Sequence, residues 1–361
     1  MTGEPIRKMT TSCGYDERSA PPPSFCGPYL PVSDDEIETF NDILSDEIDS
    51  DFTSSICCCE HCYSDFREHW PDVAFRGEEF QSQNMDADYL IENSRVIQLY
   101  SAAEISTLKH LVKCPRCLTL GVRKVWIFEH RFSDAPTIER AIEQLLVVGT
   151  RTPFLMLEHP FALEVLRNIR QRAELAPAVR LKGAVFRARS LQSVTELSQK
   201  PESILTYGVP PASKVGEGRF NHAGHAMLYL ASSQETAAAE LGIPGEPCAV
   251  AALNLRDPVR VLDLVEIDDL EPGFEILDAV AKSALLAAPL KVEGWVKRQY
   301  VFSRFIADCA RAAGFDAIRY GSTKLVNGFN YVLLSPADDI SASMSLISVE
   351  TVTCPAASLR W

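Results

Sequence analysis

Two Cys-x-x-Cys elements, Cys59 with Cys62 in CCCEHC and Cys114 with Cys117 in CPRC, constrain this chain more than any other feature. Four thiolates carried on two such turns match the donor set of a tetrahedral zinc site, so two distant segments must meet in space and the chain between them folds as an insertion. In the second element Pro115, with Gly121 behind it, favours the turn that aims both sulfurs at one ion. In the first, Cys57, Cys58 or His61 are alternative donors. A redox dithiol would need only one Cys-x-x-Cys in a thioredoxin-like strand and helix pattern, which surrounds neither element. Four thiolates leave no open position for chemistry, so the expectation is a structural zinc on Cys59, Cys62, Cys114 and Cys117.

The eleven cysteines are clustered, and the first thirty residues lack the continuous apolar stretch of a secretory signal. Reduced thiols and a cytoplasmic location are expected, with residues 1–32 a disordered tail rich in Pro, Ser and Gly. No apolar run is long enough to span a membrane. The formal net charge of -14 repels a polyanion, and without a basic patch it argues against general nucleic-acid binding. Much of the acidity sits in SDDEIETFNDILSDEIDSD, where Ile37, Phe40, Leu44 and Ile48 recur at helical spacing behind a Ser33/Glu36 capping box. A solvated acidic helix with one buried stripe accounts for that segment without a basic partner.

With 361 residues and 46% hydrophobic content the chain can bury two cores. TIERAIEQLL places Ile138, Ile142 and Leu145 on one helical face, and FALEVLRNIRQRAEL does the same with Phe161, Val165 and Ile169. After Ala178 the pattern changes to short strand-like runs, AVFRARS, AMLYLA, CAVAALNL, VRVLDL, DAIRY and NYVLL, interrupted by the helices QETAAAEL and YVFSRFIADCARAAG, the second closed by Gly314. The expected fold class is α+β: a mainly helical domain over 33–175 with the zinc site, then a strand-rich mixed domain over 176–361. Almost no linker separates them, so a fragment beginning near Pro177 is expected to be poorly soluble or much less stable.

Within GEGRFNHAGHAMLYLASSQETAAAELG, Ser232 with Glu235 reads as the start of a helix that Gly242 and Pro244 stop. Glu240 then falls in the last turn, where the helix dipole disfavours a carboxylate. Gly216, Gly218 and Gly224 surround Arg219, whose planar fork suits a pyrophosphate or a carboxylate. Read alone, Tyr229 is a core tyrosine, Ser322 a turn residue, and His222 and His225 polar loop residues.

Taken in order, VFRARS, GEGRFNHAG, LYLASSQETAAAE and GFDAIRYGS followed by NGFNYVLL resemble the RES-domain family, named for an arginine, a glutamate and a serine. Phe220 stands where that family usually has Trp. The region before it looks like the N-terminal segment, named for HEPN and RES proteins, that is fused to some of these domains. The resemblance implies an ADP-ribosyltransferase-like fold and an NAD phosphorylase or glycohydrolase that breaks the nicotinamide–ribose bond, with phosphate or water as acceptor. It implies catalytic roles for Glu240, Arg219 and Ser322, and NAD contacts from Arg187 or Arg189, Arg219, Tyr229, Glu240, Ser322 and Asn330. Glu240 would hold the ribose hydroxyls, Arg187 and Arg219 the pyrophosphate, Tyr229 the nicotinamide ring, and Ser322 the nicotinamide or the attacking phosphate. A toxin restrained by an antitoxin or other regulatory protein is the implied context, and a homodimer is compatible with the sequence. Transfer of ADP-ribose to a macromolecule, or an inactive zinc-bearing binding protein, are the alternatives.

Overall fold

The computed structural model describes residues 32–51, 55–71, 84–129, 132, 134–268, 273–286 and 300–356; all but the last residue of the expected tail lies outside them. The Ser33/Glu36 box forms, with the Glu36 N–H donating to Ser33 Oγ at 3.3 Å and the Ser33 N–H donating to Glu36 Oε2 at 2.8 Å. Helix α1 (Asp34–Asp51) follows and buries Phe40 and Leu44; of Ile48 only the backbone is described. Strand β1 (Ser55–Cys59) runs directly into α2 (Glu60–His69), so Cys59 ends the strand and caps the helix. After β2 (Asn84–Asp86) come the short helices α3 (Ala87–Glu92), α4 (Val96–Leu99) and α5 (Ala102–Leu108), then β3 (Lys124–Glu129). The three strands form an antiparallel sheet in the order β1-β3-β2. The first region is therefore helical around a small sheet that the sequence reading did not anticipate.

Helix α6 (Ala135–Arg151) starts on an Asp134 cap with a proline in its first turn, and α7 (Pro160–Leu175) on a His159 cap with Pro160 behind it. Their apolar faces bury Ile138, Ile142 and Leu145, and Phe161, Val165 and Ile169. The second region continues with β4 (Val185–Ser190), α8 (Leu191–Glu196), β5 (Leu228–Ala231), α9 (Gln234–Glu240), β6 (Pro247–Leu255) and β7 (Val261–Asp263). It ends with α10 (Phe274–Lys282), α11 (Val301–Ala313), β8 (Ala317–Gly321), β9 (Phe329–Leu333) and β10 (Met344–Thr353). The expected Gly314 stop closes α11 in the left-handed region, at φ 90°. The fold class is α+β: among the described residues, seven strands make one sheet in the order β10-β6-β4-β5-β9-β8-β7, antiparallel except for the β7–β8 pair.

Because partners across a ladder share a face, the register sorts the side chains. Phe186, Ala188, Tyr229, Ala231, Ile318, Tyr320, Asn330 and Val332 lie on one face. Helix α9 packs on its β4–β6 end, burying Ala237 and Ala238 with Ala188 and Val250. Helix α11 covers the other end at β8 and α7 reaches β7, while α6 and α7 pack onto α10 and α11. The apolar cluster that results is continuous from Ile142, Leu145 and Ile169 through Phe302 and Ile306 to Ile318 and Val332. On this face the helical region and the sheet share one core.

Candidate active site

Tyr229, Asn330 and Tyr320 project from the middle of that face, on neighbouring strands, and Glu240 reaches them from the end of α9. The start of α9 corrects one detail: Ser233, not Ser232, caps it, its Oγ accepting from the Thr236 N–H at 3.1 Å. Ser232 instead accepts from the Phe329 N–H at 3.2 Å and ties the helix entry to β9. One oxygen of Glu240, Oε1, accepts from Ser322 Oγ at 2.6 Å and from Asn330 Nδ2 at 2.7 Å. The side chain is solvent-exposed, and Oε2 meets no donor among the described residues. The Ser322 hydroxyl also accepts the N–H groups of Lys324 and Leu325 at 3.1 and 3.2 Å, which fill its lone pairs and leave Glu240 as the place for its proton. Ser322 thus holds Glu240, a contact that the sequence reading did not name.

Arg219 stands across from this carboxylate. Its guanidinium lies 5.2 Å from the Tyr300 ring centroid and 5.8 Å from that of Tyr320, and donates to the Leu286 carbonyl at 2.9 Å and to Thr323 Oγ1 at 3.1 Å. The loop behind it is fixed from both sides. Arg304 on α11 pairs with Glu217 at 3.5 Å, and Asp308 with His222 at 2.8 Å. The Tyr229 hydroxyl accepts from the Phe220 N–H at 3.0 Å and donates to Asn221 Oδ1 at 2.9 Å. A Cβ on Gly218 would sit 2.1 Å from that Asn221 oxygen, so close approach requires glycine here. Phe220 is fully buried against Tyr320, with centroids 4.7 Å apart. Burial pushes the Tyr229 hydroxyl up to about 12, and burial followed by the Glu240 charge raises Tyr320 well above its ordinary value. Both phenols stay neutral at physiological pH.

Arg187 and Arg189 do not join this group. They lie on the opposite face of the sheet, two residues apart on β4, with Leu228 and Leu230. Arg187 donates to the carbonyls of Tyr229 at 2.8 Å and Gly208 at 3.3 Å; Arg189 donates to those of Thr206 at 3.1 Å and Gly208 at 2.8 Å. Burial, with neighbouring Arg189, lowers Arg187 well below the usual arginine range. The strand period of two decides both positions together, so the choice between them has no bearing on the site. Tyr320 and Thr323 are site residues that the sequence reading missed. The signal was available, because Tyr320 precedes Ser322 by two in IRYGS, the spacing that keeps side chains on one face of a strand.

The four expected cysteines converge as well. Cys59, Cys62, Cys114 and Cys117 place their sulfurs within 4.8 Å of one another, with Cys59–Cys117 at 3.8 Å and Cys62–Cys114 at 4.0 Å. A tetrahedron with zinc–sulfur bonds of about 2.3 Å has edges of roughly 3.8 Å, so the set fits such an ion. The N–H groups of Cys59, Arg116 and Cys117 donate to Cys114 Sγ at 3.1, 3.4 and 3.4 Å. Burial raises the Cys62 and Cys114 thiols, a cost that a bound divalent cation offsets by stabilising the thiolates. Of the alternatives, Cys58 and His61 are outside the cluster, and the Cys57 side chain lies outside the described residues. Arg116, between the second pair, forms a 2.6 Å ion pair with Glu139 on α6.

Compared with known families, residues 185–354 match the family described as the RES domain. The match begins at the first residue of β4 and ends just past β10, so it takes in the whole seven-stranded sheet and every residue of the Glu240 and Arg219 cluster, Leu286 and Tyr300 included. Among solved structures, one match is the crystal structure of the M. tuberculosis MbcT-MbcA toxin-antitoxin complex, at 13% identity and a TM-score of 0.32, covering 52% of this chain and 92% of that one. No curated protein matches the chain. Among the described residues no helix is long and apolar enough to cross a membrane.

Proposed function

We propose that the chain consumes NAD, cleaving the nicotinamide–ribose bond and passing the ADP-ribosyl group to phosphate or water. The observation that carries this reading is the exposed Glu240 carboxylate, held through one oxygen by Ser322 and Asn330 and open through the other. Nicotinamide leaves as a neutral base and needs no general acid, so one carboxylate suffices where ordinary glycosidases use two. Glu240 Oε2 binds the ribose hydroxyls, and its charge stabilises the oxocarbenium-like state as the bond breaks. Arg219, braced by two aromatic rings and still carrying spare N–H donors, takes the pyrophosphate. Tyr229 keeps its hydroxyl turned into the loop, so it serves the site through its ring and by fixing the backbone around Arg219.

The cysteine cluster holds a structural zinc in this reading: among the described residues it brings four sulfurs together and no fifth donor. Zinc near one equivalent per purified chain supports it, and a value near zero with four free thiols overturns it. The match to the RES family also supports a toxin restrained by a protein partner. The acceptor is decided by incubating the full chain with NAD with and without inorganic phosphate and resolving the products. ADP-ribose 1''-phosphate indicates phosphorolysis, ADP-ribose hydrolysis, and label on macromolecules transfer. Intact NAD under all conditions would overturn the proposal.

A further inference from the structure

Helix α2 carries two different attachments at its ends. Its first turn holds Cys59 and Cys62 of the cysteine cluster. About 15 Å along a helix of ten residues, its last carbonyl, that of His69, accepts a hydrogen bond from the Ala284 N–H at 2.7 Å. Ala284 belongs to the turn that ends α10. The Leu286 N–H donates to the Ser283 carbonyl at 3.1 Å, and Ser283 is tied back by its own N–H to Ala279 at 3.0 Å. Ser283, Leu285 and Leu286 are all buried. The turn ends at the Leu286 carbonyl, which takes Nη1 of Arg219.

We infer that the helical region completes the active site of the RES domain by seating Arg219: α2 holds the 283–286 turn, and the turn presents the Leu286 carbonyl that aims the guanidinium. This inference rests on the NAD reading for its kinetic consequence. Arg219 has several rotatable bonds, and its two described hydrogen-bond partners are Leu286 and Thr323. Thr323 lies in the same loop as Ser322, on the Glu240 side of the site. A guanidinium released from Leu286 would lose its orientation while Glu240 kept both of its donors. His69 and Ala284 are thus positioning residues that act through Arg219. They give the helical region a part in the site although, among the described residues, it contributes no side chain to the Glu240 cluster.

The geometry supplies a narrow test. Ala284 is the second residue of the Ser283–Leu286 turn, a position that favours proline. Ser283 before it is extended, at ψ 168°, which is what a following proline requires. Ala284→Pro therefore removes the N–H to His69 while fitting the backbone, and Ala284→Ser keeps it. In the full-length chain, Ala284→Pro should raise KM for NAD roughly two- to tenfold, the effect of losing one hydrogen bond, with kcat within about twofold. Amide exchange in the 216–230 segment should quicken, while the β5–β9 ladder and the metal content stay unchanged. Ala284→Ser should match the wild type in every respect. Wild-type KM and wild-type exchange in the proline variant would overturn the inference. If the wild-type chain leaves NAD intact, the functional reading fails, and the exchange comparison alone decides the seating of Arg219.

Discussion

Ser322→Ala isolates the anchoring of the Glu240 carboxylate. The substitution removes the 2.6 Å hydrogen bond to Glu240 Oε1 and leaves the 2.7 Å bond from Asn330 in place. A hydrogen bond to a charged group contributes about 1.5–3 kcal/mol when shielded. Glu240 is exposed, so water replaces part of the loss, and the lower end near 1.5 kcal/mol applies. If that bond matters chiefly as positive charge develops on the ribose, kcat should fall about tenfold. KM for NAD should change by less than about threefold, because Arg219 is untouched. Asn330→Ala should act in the same direction through the same oxygen. The double variant should fall further than the product of the two single losses, since the carboxylate then has neither donor. Steady-state nicotinamide release is the assay, with a melting curve to confirm the fold. A Ser322→Ala chain with wild-type kcat would refute the claim that its hydroxyl holds Glu240, and a pure KM effect would return Ser322 to the substrate-binding role first expected.

Three further outcomes follow from the same geometry. Gly218→Ala forces the added methyl onto Asn221 Oδ1 and should break the Tyr229–Asn221 bond, costing about 1–3 kcal/mol in stability and raising KM for NAD; an unchanged melting temperature and KM would show that the latch does not exist. His159 accepts from the Phe161 N–H at 3.2 Å, and burial holds its imidazole below the usual 6.5, so the neutral ring is the folded form and its capping contribution, about 1 kcal/mol, is present above pH 6.5 and lost as pH falls through the lowered value. His159→Asn should flatten that acid limb of the melting curve, and an identical limb in both proteins would exclude the cap as its source. A fragment starting at Pro177 exposes the α10 and α11 faces that α6 and α7 cover, and should aggregate or melt far lower; a soluble, folded fragment of full activity would show the regions to be independent.

What the sequence made legible follows from which signals are local. The Ser33/Glu36 box, the Phe40 and Leu44 stripe and the Gly314 stop are set by neighbours within one or two turns, and all formed. The cysteine pairs were readable because metal chemistry restricts donor type and spacing more than folding does. Strand β10 was missed because a bulge between Leu346 and Ser348 breaks its alternation. The placement of Arg187 behind the sheet was hidden for another reason. Two arginines in a strand-like run look like a ligand grip until the pairing of Phe186 with Ala231 fixes which face they occupy. The brace on Arg219 was least legible, since it depends on the backbone carbonyl of Leu286, 67 residues away, whose side chain carries no message.

Glu240 is the residue on which NAD cleavage depends most in the proposed reaction. Purified full-length chain and its Glu240→Gln variant, both checked for fold and metal content, are incubated with NAD, and free nicotinamide is measured over time. The amide keeps the size of the side chain and a partner for Ser322 and Asn330, but removes the charge that faces the ribose. Steady nicotinamide release by the wild type and loss of at least about a hundredfold in the variant are expected. Release by both proteins at rates within a fewfold of each other would contradict that expectation.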